Sequence, residues 1–209
     1  MYKHIIWDFD GTLFDTYPVM TKAAIIALEE QDIYEPYDKI FDLMKKSFTY
    51  LYDYFYENYH IDISEKVISN FNRHRRELED NNIKPFPYAV DVCRRICEDN
   101  RFNHLYTHRG DSSIRYLKEH DMLEYFSGLI TERSNFRRKP NPEALLWLIE
   151  EYNIDRREAL MVGDRDIDIL AAKNAGIDGC YYKSYPLYDC EHAKYTITDY
   201  RQLMDILKL

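Results

Sequence analysis

Two aspartates separated by a single residue, Asp8 and Asp10, are the part of this sequence best suited to chemistry. They follow a short apolar run, residues 4–7, and precede the pair Gly11-Thr12. Because side chains alternate along a strand, the two carboxylates share a side if the chain stays extended. Like charges held that close are costly unless a cation lies between them or one carboxyl shares a proton. The alternative is a polar turn, in which Asp10 and Gly11 are ordinary turn residues.

Three further segments carry polar residues that complete a pattern with the first one. In chain order they are the hydrophobic run that ends at Thr107, the sequence Arg138-Lys139-Pro140-Asn141-Pro142, and the run Leu160-Met161-Val162-Gly163-Asp164. Together the four segments resemble the motifs of the haloacid dehalogenase-like hydrolase superfamily, in the family's order. The likeness covers nearly the whole chain and points to the phosphoglycolate phosphatase-like and β-phosphoglucomutase-like group, whose members carry a helical cap.

This resemblance implies catalytic roles for the acidic residues. Asp8 would be the nucleophile that forms an aspartyl-phosphate intermediate. Asp10 would protonate the leaving group and then activate the hydrolytic water. The implied cofactor is Mg²⁺, a hard cation that prefers oxygen ligands, held by Asp8, Asp164 and the main-chain carbonyl of Asp10. Asp168, one helical turn beyond Asp164, would orient ligands or bound water.

The resemblance also implies which residues bind the phosphate and the rest of the substrate. Lys139 would place a positive charge on the phosphoryl oxygens, and the Thr107 hydroxyl would donate a hydrogen bond to them. His108 and Arg109 directly follow Thr107, at positions where family members vary, so they are candidates for substrate contacts.

Each of these assignments has a plainer alternative. Asp164 follows a glycine and could cap the next helix, which is the commonest use of such an aspartate. Lys139 lies in a basic loop and could be a solvated surface lysine, and Thr107 could simply close a strand. His108 and Arg109 could belong to a surface turn in which Asp111 caps the following helix.

Composition and charge limit the class of protein and its partners. The chain has 209 residues, 45 % of them hydrophobic and 31 % charged, as in a globular protein. Its net charge of −9 argues against a nucleic acid or an anionic membrane as partner. We expect no signal peptide and no membrane span, because no long apolar segment precedes the first strand. The four cysteines lack a Cys-x-x-Cys spacing and favour a reducing cytoplasm.

The pattern of apolar residues predicts an α/β fold, with a mostly parallel sheet covered on both faces and a helical insertion. The resemblance implies that the fold is a Rossmann-like three-layer core and that the insertion is an α-helical cap. Residues 1–16 and 85–209 would form the core and residues 17–84 the cap. Strands are predicted at 4–7, 103–106, 128–131, 159–162 and 179–182. Core helices are predicted at 88–98, 112–119, 142–152, 167–175 and 201–207. Cap helices are predicted at 17–31, 37–46, 48–59 and 64–80, with Ser64 as the N-cap of the last.

One cap segment is ambiguous between helix and strand. Tyr50, Tyr52, Tyr54 and Tyr56 alternate as in a strand, but a longer apolar stripe at helical spacing favours a helix. Most of these four tyrosines and Tyr59 are expected to pack the cap helices together, because aromatic stripes are usually core. One or two on the opposite face could point their hydroxyls at the substrate.

The function predicted from these features is that of a magnesium-dependent phosphatase acting on a small phosphorylated metabolite. A phosphomutase needs Asp10 equally, and a phosphonoacetaldehyde hydrolase would need a cap lysine, for which Lys45 and Lys46 are available. A binding or regulatory protein without turnover is the remaining alternative. Such a protein would have no reason to keep all five motif residues, which are Asp8, Asp10, Thr107, Lys139 and Asp164. The sequence carries no signal for an oligomeric state.

Overall fold

A computed structural model describes residues 1–59, 65–80, 82–185 and 189–209. The chain divides into two compact units. The core unit comprises Met1–Phe14 and Pro85–Leu209, and the helical unit comprises Asp15–Lys84. The boundary after residue 16 that the sequence indicated lies two residues from the observed division, and the role of the helical unit as a cap stays a prediction.

The core unit is built on a sheet that contains six parallel strands within the described residues. Its order is β3-β2-β1-β4-β5-β6. The strands are β1 (His4–Trp7), β2 (Phe102–Tyr106), β3 (Phe126–Ile130), β4 (Ala159–Gly163), β5 (Asp178–Tyr182) and β6 (Tyr195–Ile197). The first strand of the sequence is therefore central, with β2 and β4 as its neighbours.

The helical unit contains α1 (Tyr17–Glu29), α2 (Tyr37–Lys46), α3 (Phe48–Tyr59) and α4 (Glu65–Glu79). Ile40, Leu51, Phe55 and Phe71 belong to the apolar cluster that these helices share. The backbone N–H of Asp15 donates to the carbonyl of Lys84 at 3.0 Å, so the two ends of the unit are adjacent. The predicted N-cap Ser64 lies outside the described residues.

Helix α3 resolves the ambiguous tyrosine segment in favour of a helix. Tyr52 and Tyr54 pack against the apolar cluster, but Tyr50 and Tyr56 are exposed. At 100° per residue, positions 50 and 56 point away from the buried positions 51 and 55. Two of the five tyrosines therefore do not pack between the helices, and the side chain of Tyr59 lies outside what the structure describes, so the expectation that most of them pack stays a prediction.

Helices cover both faces of the sheet, as the run of fully buried residues in β1 requires. The helices of the core unit are α5 (Ala89–Glu98), α6 (Ser112–Glu119), α7 (Glu143–Glu151), α8 (Asp166–Ala175) and α9 (Tyr200–Leu207). On one face, Ile6 of β1 joins a cluster with Leu145 of α7 and Ala172 of α8. On the other, Trp7 meets Tyr200 of α9 edge-on, with ring centroids 5.6 Å apart. The predicted three-layer α/β core is thus confirmed.

Two parts of the sheet differ from expectation. Strand β3 begins at Phe126, two residues before the predicted start, and β6 was not predicted at all. β6 has only three residues, two of which are not buried, so it lacks the apolar run by which a buried strand is recognised. Among the described residues, no helix has the length and apolarity needed to cross a bilayer.

Candidate functional site

Parallel pairing brings the motif residues to one edge of the sheet. Trp7, the last residue of β1, pairs with Leu105 of β2 and Val162 of β4. The next residue, Asp8, donates its backbone N–H to the Val162 carbonyl at 2.9 Å. Because all three strands run the same way, Thr107 and Asp164 leave the sheet at the same edge as Asp8.

Lys139 lies between two of the buried aspartates. Its Nζ is 2.7 Å from Oδ1 of Asp8 and 2.8 Å from Oδ1 of Asp168. The side chains of Lys139 and Asp168 are fully buried. The ammonium also lies over the ring of Tyr106, 4.5 Å from its centroid. The alternative of a solvated surface lysine is therefore wrong.

Burial and charge together set the protonation of these groups. Burial raises the pKa of Asp8 to about 7; the Lys139 ammonium opposes this shift, and the Asp168 and Asp164 carboxylates add to it. The pKa of Asp168 is lowered, because Lys139 and Arg165 outweigh the effect of burial. Burial lowers the pKa of Lys139, but the Asp168 and Asp8 carboxylates outweigh it and leave that pKa above its usual value. Lys139 is therefore a permanent cation beside Asp8.

Three carboxylates at this edge form a group with the composition of a cation site. Asp8, Asp164 and Asp168 each offer an oxygen, and these oxygens all lie within 4.8 Å of one another. Oδ2 of Asp8 is buried and has no hydrogen-bond partner within the part of the chain that the structure describes. An unpartnered buried carboxylate oxygen is costly, and hard divalent cations favour such ligands. The residues present therefore fit a hard divalent cation.

Thr12, a residue of the first motif that was not predicted as part of the site, forms a hydrogen bond with Asp164. The Thr12 hydroxyl donates to Oδ1 of Asp164 at 3.2 Å. The Thr12 carbonyl accepts a hydrogen bond from the Tyr200 hydroxyl at 2.7 Å. The threonine of the first motif was visible in the sequence, but its partner was not, because the two residues follow different strands and are far apart in the chain.

The start of α8 shows why a glycine precedes Asp164. A Cβ on Gly163 would lie 2.4 Å from the Cβ of Asp168, so only glycine leaves room for that side chain. Oδ2 of Asp168 accepts the backbone N–H of Arg165, the N-cap residue of α8, at 3.1 Å. The alternative that Asp164 caps this helix is therefore wrong.

Asp10 has a different partner from Asp8. Nε of Arg109 lies 3.0 Å from Oδ1 and 3.3 Å from Oδ2 of Asp10, and Nη2 lies 2.9 Å from Oδ1. The Arg109 side chain is 2 % exposed and that of Asp10 is 21 % exposed. The two carboxylates of the first motif thus bind separate cations, Lys139 and Arg109.

The side chains of Thr107 and His108 each accept a hydrogen bond from the backbone of another site residue. Oγ1 of Thr107 accepts the backbone N–H of Arg109 at 3.1 Å, and Nε2 of His108 accepts that of Lys139 at 2.9 Å. Burial, with the charges of Lys139 and Arg138, lowers the pKa of His108 to about 3. His108 is therefore neutral and can serve as this acceptor.

The segment that follows Thr107 is not a surface turn. Arg109 is buried, and Asp111 makes no side-chain bond to the start of α6. Asp111 instead pairs with Arg133 at 2.8 Å. The alternative of a surface turn in which the Asp111 side chain caps the next helix is wrong, and the roles of His108 and Arg109 as substrate contacts stay predictions.

Comparison with known proteins relates the whole arrangement to one family. The model of the haloacid dehalogenase-like hydrolases matches residues 5–181. A Clostridium perfringens protein named "Putative pyrophosphatase PpaX" is 29 % identical over 199 residues, which cover 90 % of this chain and 87 % of that protein. A phosphoglycolate phosphatase of Vibrio vulnificus is 50 % identical over 60 residues, or 29 % of this chain and 26 % of that protein. The crystal structure of a hydrolase from Streptococcus pneumoniae superposes with a TM-score of 0.67 at 27 % identity, over 100 % of this chain and 99 % of that one.

Proposed function

The chain belongs to the haloacid dehalogenase-like hydrolase family and is a phosphatase of that family, and we propose that it hydrolyses a small phosphorylated metabolite through an aspartyl-phosphate on Asp8, with Mg²⁺ as cofactor. One observation carries this proposal. Asp8 is buried at the edge of the sheet with Oδ1 on Lys139 and Oδ2 without a hydrogen-bond partner among the described residues.

A carboxylate that attacks a phosphoryl group meets another anion. At 4 Å and an effective dielectric constant of 20, each pair of like charges repels by about 4 kcal/mol. Lys139 offsets part of this repulsion, because its ammonium is fixed 2.7 Å from Asp8. Asp8, Asp164 and the Asp10 carbonyl would hold Mg²⁺, which when bound supplies further positive charge on the phosphoryl oxygens and orients them.

The proposed reaction has two chemical steps. In the first, Asp8 forms a bond to phosphorus as the bond to the leaving oxygen breaks, and Asp10 gives that oxygen a proton. In the second, Asp10 takes a proton from water as water attacks phosphorus and the bond to Asp8 breaks. Thr107 and Lys139 bind the phosphoryl oxygens, and Asp168 holds Lys139 in place.

The helical unit is proposed as the cap that selects the substrate, with residues 1–16 and 85–209 as core and 17–84 as cap. Its adjacent ends make it an insertion in the core chain directly after the first motif. Pyrophosphate and phosphoglycolate are the first substrates to test, because relatives of this chain are named for them. The four free cysteines agree with a cytoplasmic location, which is part of the proposal.

The test is the capture of the phosphorylated enzyme. With p-nitrophenyl phosphate and Mg²⁺, acid quenching followed by mass spectrometry should find one phosphoryl group on the peptide that contains Asp8. Asp8→Asn should stay folded, lose the adduct, and lower turnover by about 10³-fold or more. Asp155→Asn, which removes a surface carboxylate paired with Arg157, is the matched control and should keep both adduct and turnover.

Other outcomes separate the alternatives. Near-normal turnover in folded Asp8→Asn would overturn the nucleophile assignment. Activity that requires a bisphosphate sugar would favour a phosphomutase. An adduct trapped by borohydride with phosphonoacetaldehyde, and lost in Lys45→Met or Lys46→Ala, would favour a phosphonoacetaldehyde hydrolase. Absence of turnover with every phosphorylated compound would favour a binding protein.

A further inference from the structure

Arg109 is a buried cation that has no role in the two chemical steps proposed above. Its Nε and Nη2 both contact the carboxylate of Asp10, at 2.9–3.3 Å. Two adjacent N–H groups of a guanidinium on one carboxylate fix the plane of that carboxylate as well as its position. A single ammonium or hydroxyl partner would fix the position alone.

The Arg109 side chain is itself held on several sides. Its Nη1 donates to the Ser112 hydroxyl at 3.2 Å. Its guanidinium carbon lies 5.4 Å from the ring centroid of Phe9 and 5.9 Å from that of Tyr116. Its backbone N–H donates to Thr107, so the residue that holds Asp10 is tied to a predicted phosphate ligand. The carboxylate is therefore held by a rigid partner.

We infer that Arg109 is the positioning residue for Asp10, and that it keeps the carboxylate aimed for both proton transfers of the reaction. This inference rests on the proposed function. Proton transfer requires a donor within hydrogen-bond reach of the leaving oxygen, and a displacement of about 1 Å in such a group can cost about 100-fold in rate. Arg109 forms no bond to phosphorus and exchanges no proton in either step.

The first experiment compares variants of Arg109. Arg109→Ala should lower kcat by about 10- to 100-fold with KM changed by less than about threefold, because Asp10 loses its orientation while the phosphate ligands remain. Arg109→Lys should recover part of kcat, since it restores the charge and one donor. The control is Arg133→Ala, which removes an exposed arginine paired with Asp111 in the same region and should leave kcat unchanged.

A second measurement separates positioning from general damage. In single turnovers, the loss of phosphorylation rate in Arg109→Ala should be larger with phosphoglycolate than with p-nitrophenyl phosphate, because nitrophenolate leaves without needing a proton. In an Asp10→Asn background, Arg109→Ala should have no further effect, because the residue it acts through no longer transfers protons.

The inference is overturned if Arg109→Ala slows both substrates equally, or if its loss adds fully to that of Asp10→Asn. These results leave the proposed function intact, because its test is the phosphoryl group on Asp8, and Arg109 does not form that bond. If Arg109→Ala proves too unstable to assay, Arg109→Lys carries the same two comparisons. A crystal structure of Arg109→Ala with the Asp10 carboxylate unmoved would also overturn the inference.

Discussion

The ammonium of Lys139 lies 2.7 Å from Oδ1 of Asp8, and both side chains are buried. The two residues are separated by 131 positions in the chain. Lys139 comes from the loop that precedes α7 and Asp8 from the end of the central strand. This pair places a cation beside the proposed nucleophile before any substrate arrives.

Removal of that cation should damage both stability and activity. Lys139→Met leaves Asp8 and Asp168 as neighbouring buried carboxylates, and we expect the free energy of unfolding to fall by about 3 kcal/mol. Turnover should fall by about 100-fold or more, because the phosphoryl oxygens lose a fixed positive charge. Urea denaturation and a p-nitrophenyl phosphate assay measure the two effects.

The matched control for this prediction is Lys194→Met, which removes a 50 % exposed lysine that pairs with Asp178 at 2.7 Å. A surface ion pair of this kind contributes less than about 1 kcal/mol. Equal destabilisation by the two substitutions would show that Lys139 has no special place in the core.

Metal removal gives the second prediction. Chelation should abolish turnover and Mg²⁺ should restore it, whereas Ca²⁺ should restore it poorly, because Ca²⁺ draws more oxygen ligands at longer distances. Mg²⁺ should also raise the melting temperature of the wild type and not that of Asp164→Asn, which provides a readout independent of activity. Full turnover in chelator, or turnover that depends on zinc alone, would contradict the proposed site.

The third prediction concerns the close approach at Gly163. In Gly163→Ala the new methyl group would overlap Asp168, so Asp168 and its ion pair with Lys139 must shift. We expect turnover to fall by about tenfold or more. Gly110→Ala is the control, because its Cβ would meet only the end of the Glu132 side chain, at 3.4 Å. Unchanged kinetics for Gly163→Ala would show that the position of Asp168 is not critical.

The fourth prediction concerns pH and a buried histidine away from the site. Burial, with a smaller effect of His4, lowers the pKa of His104 to about 3. In the unfolded chain His104 takes up a proton near pH 6.5, whereas in the folded chain it stays neutral until the pH is much lower. The free energy of unfolding therefore decreases as the pH falls below about 6.5. From pH 7.5 to pH 5 the loss from this residue should be about 2 kcal/mol.

Urea denaturation at a series of pH values tests this expectation. His104→Gln should remove the corresponding part of the slope of stability against pH, although the variant is less stable at pH 7.5. His192→Gln, at an exposed position, should keep the slope of the wild type. A slope that is the same in all three proteins would show that His104 is not the group responsible.

Local pattern was enough to predict much of this protein. The apolar runs and helical stripes identified β1, β2, β4 and β5 and the helices that separate them, because burial on a regular element imposes a period on the sequence. They failed at β6, which is short and only partly buried. They also failed to tell which tyrosines of α3 face the cluster, because Tyr residues occupy positions all around that helix.

The resemblance of four segments to the motifs of the haloacid dehalogenase-like family likewise identified Asp8, Asp10, Thr107, Lys139 and Asp164 as candidates. Their partners were decided by the tertiary structure. These partners are contacts between residues distant in the chain. Lys139 is buried against Asp8 and Asp168, Thr12 holds Asp164, and Arg109 holds Asp10. Sequence records the chemistry that each residue can do, whereas the pairing of charges is fixed only when the sheet brings separate strand ends to one edge.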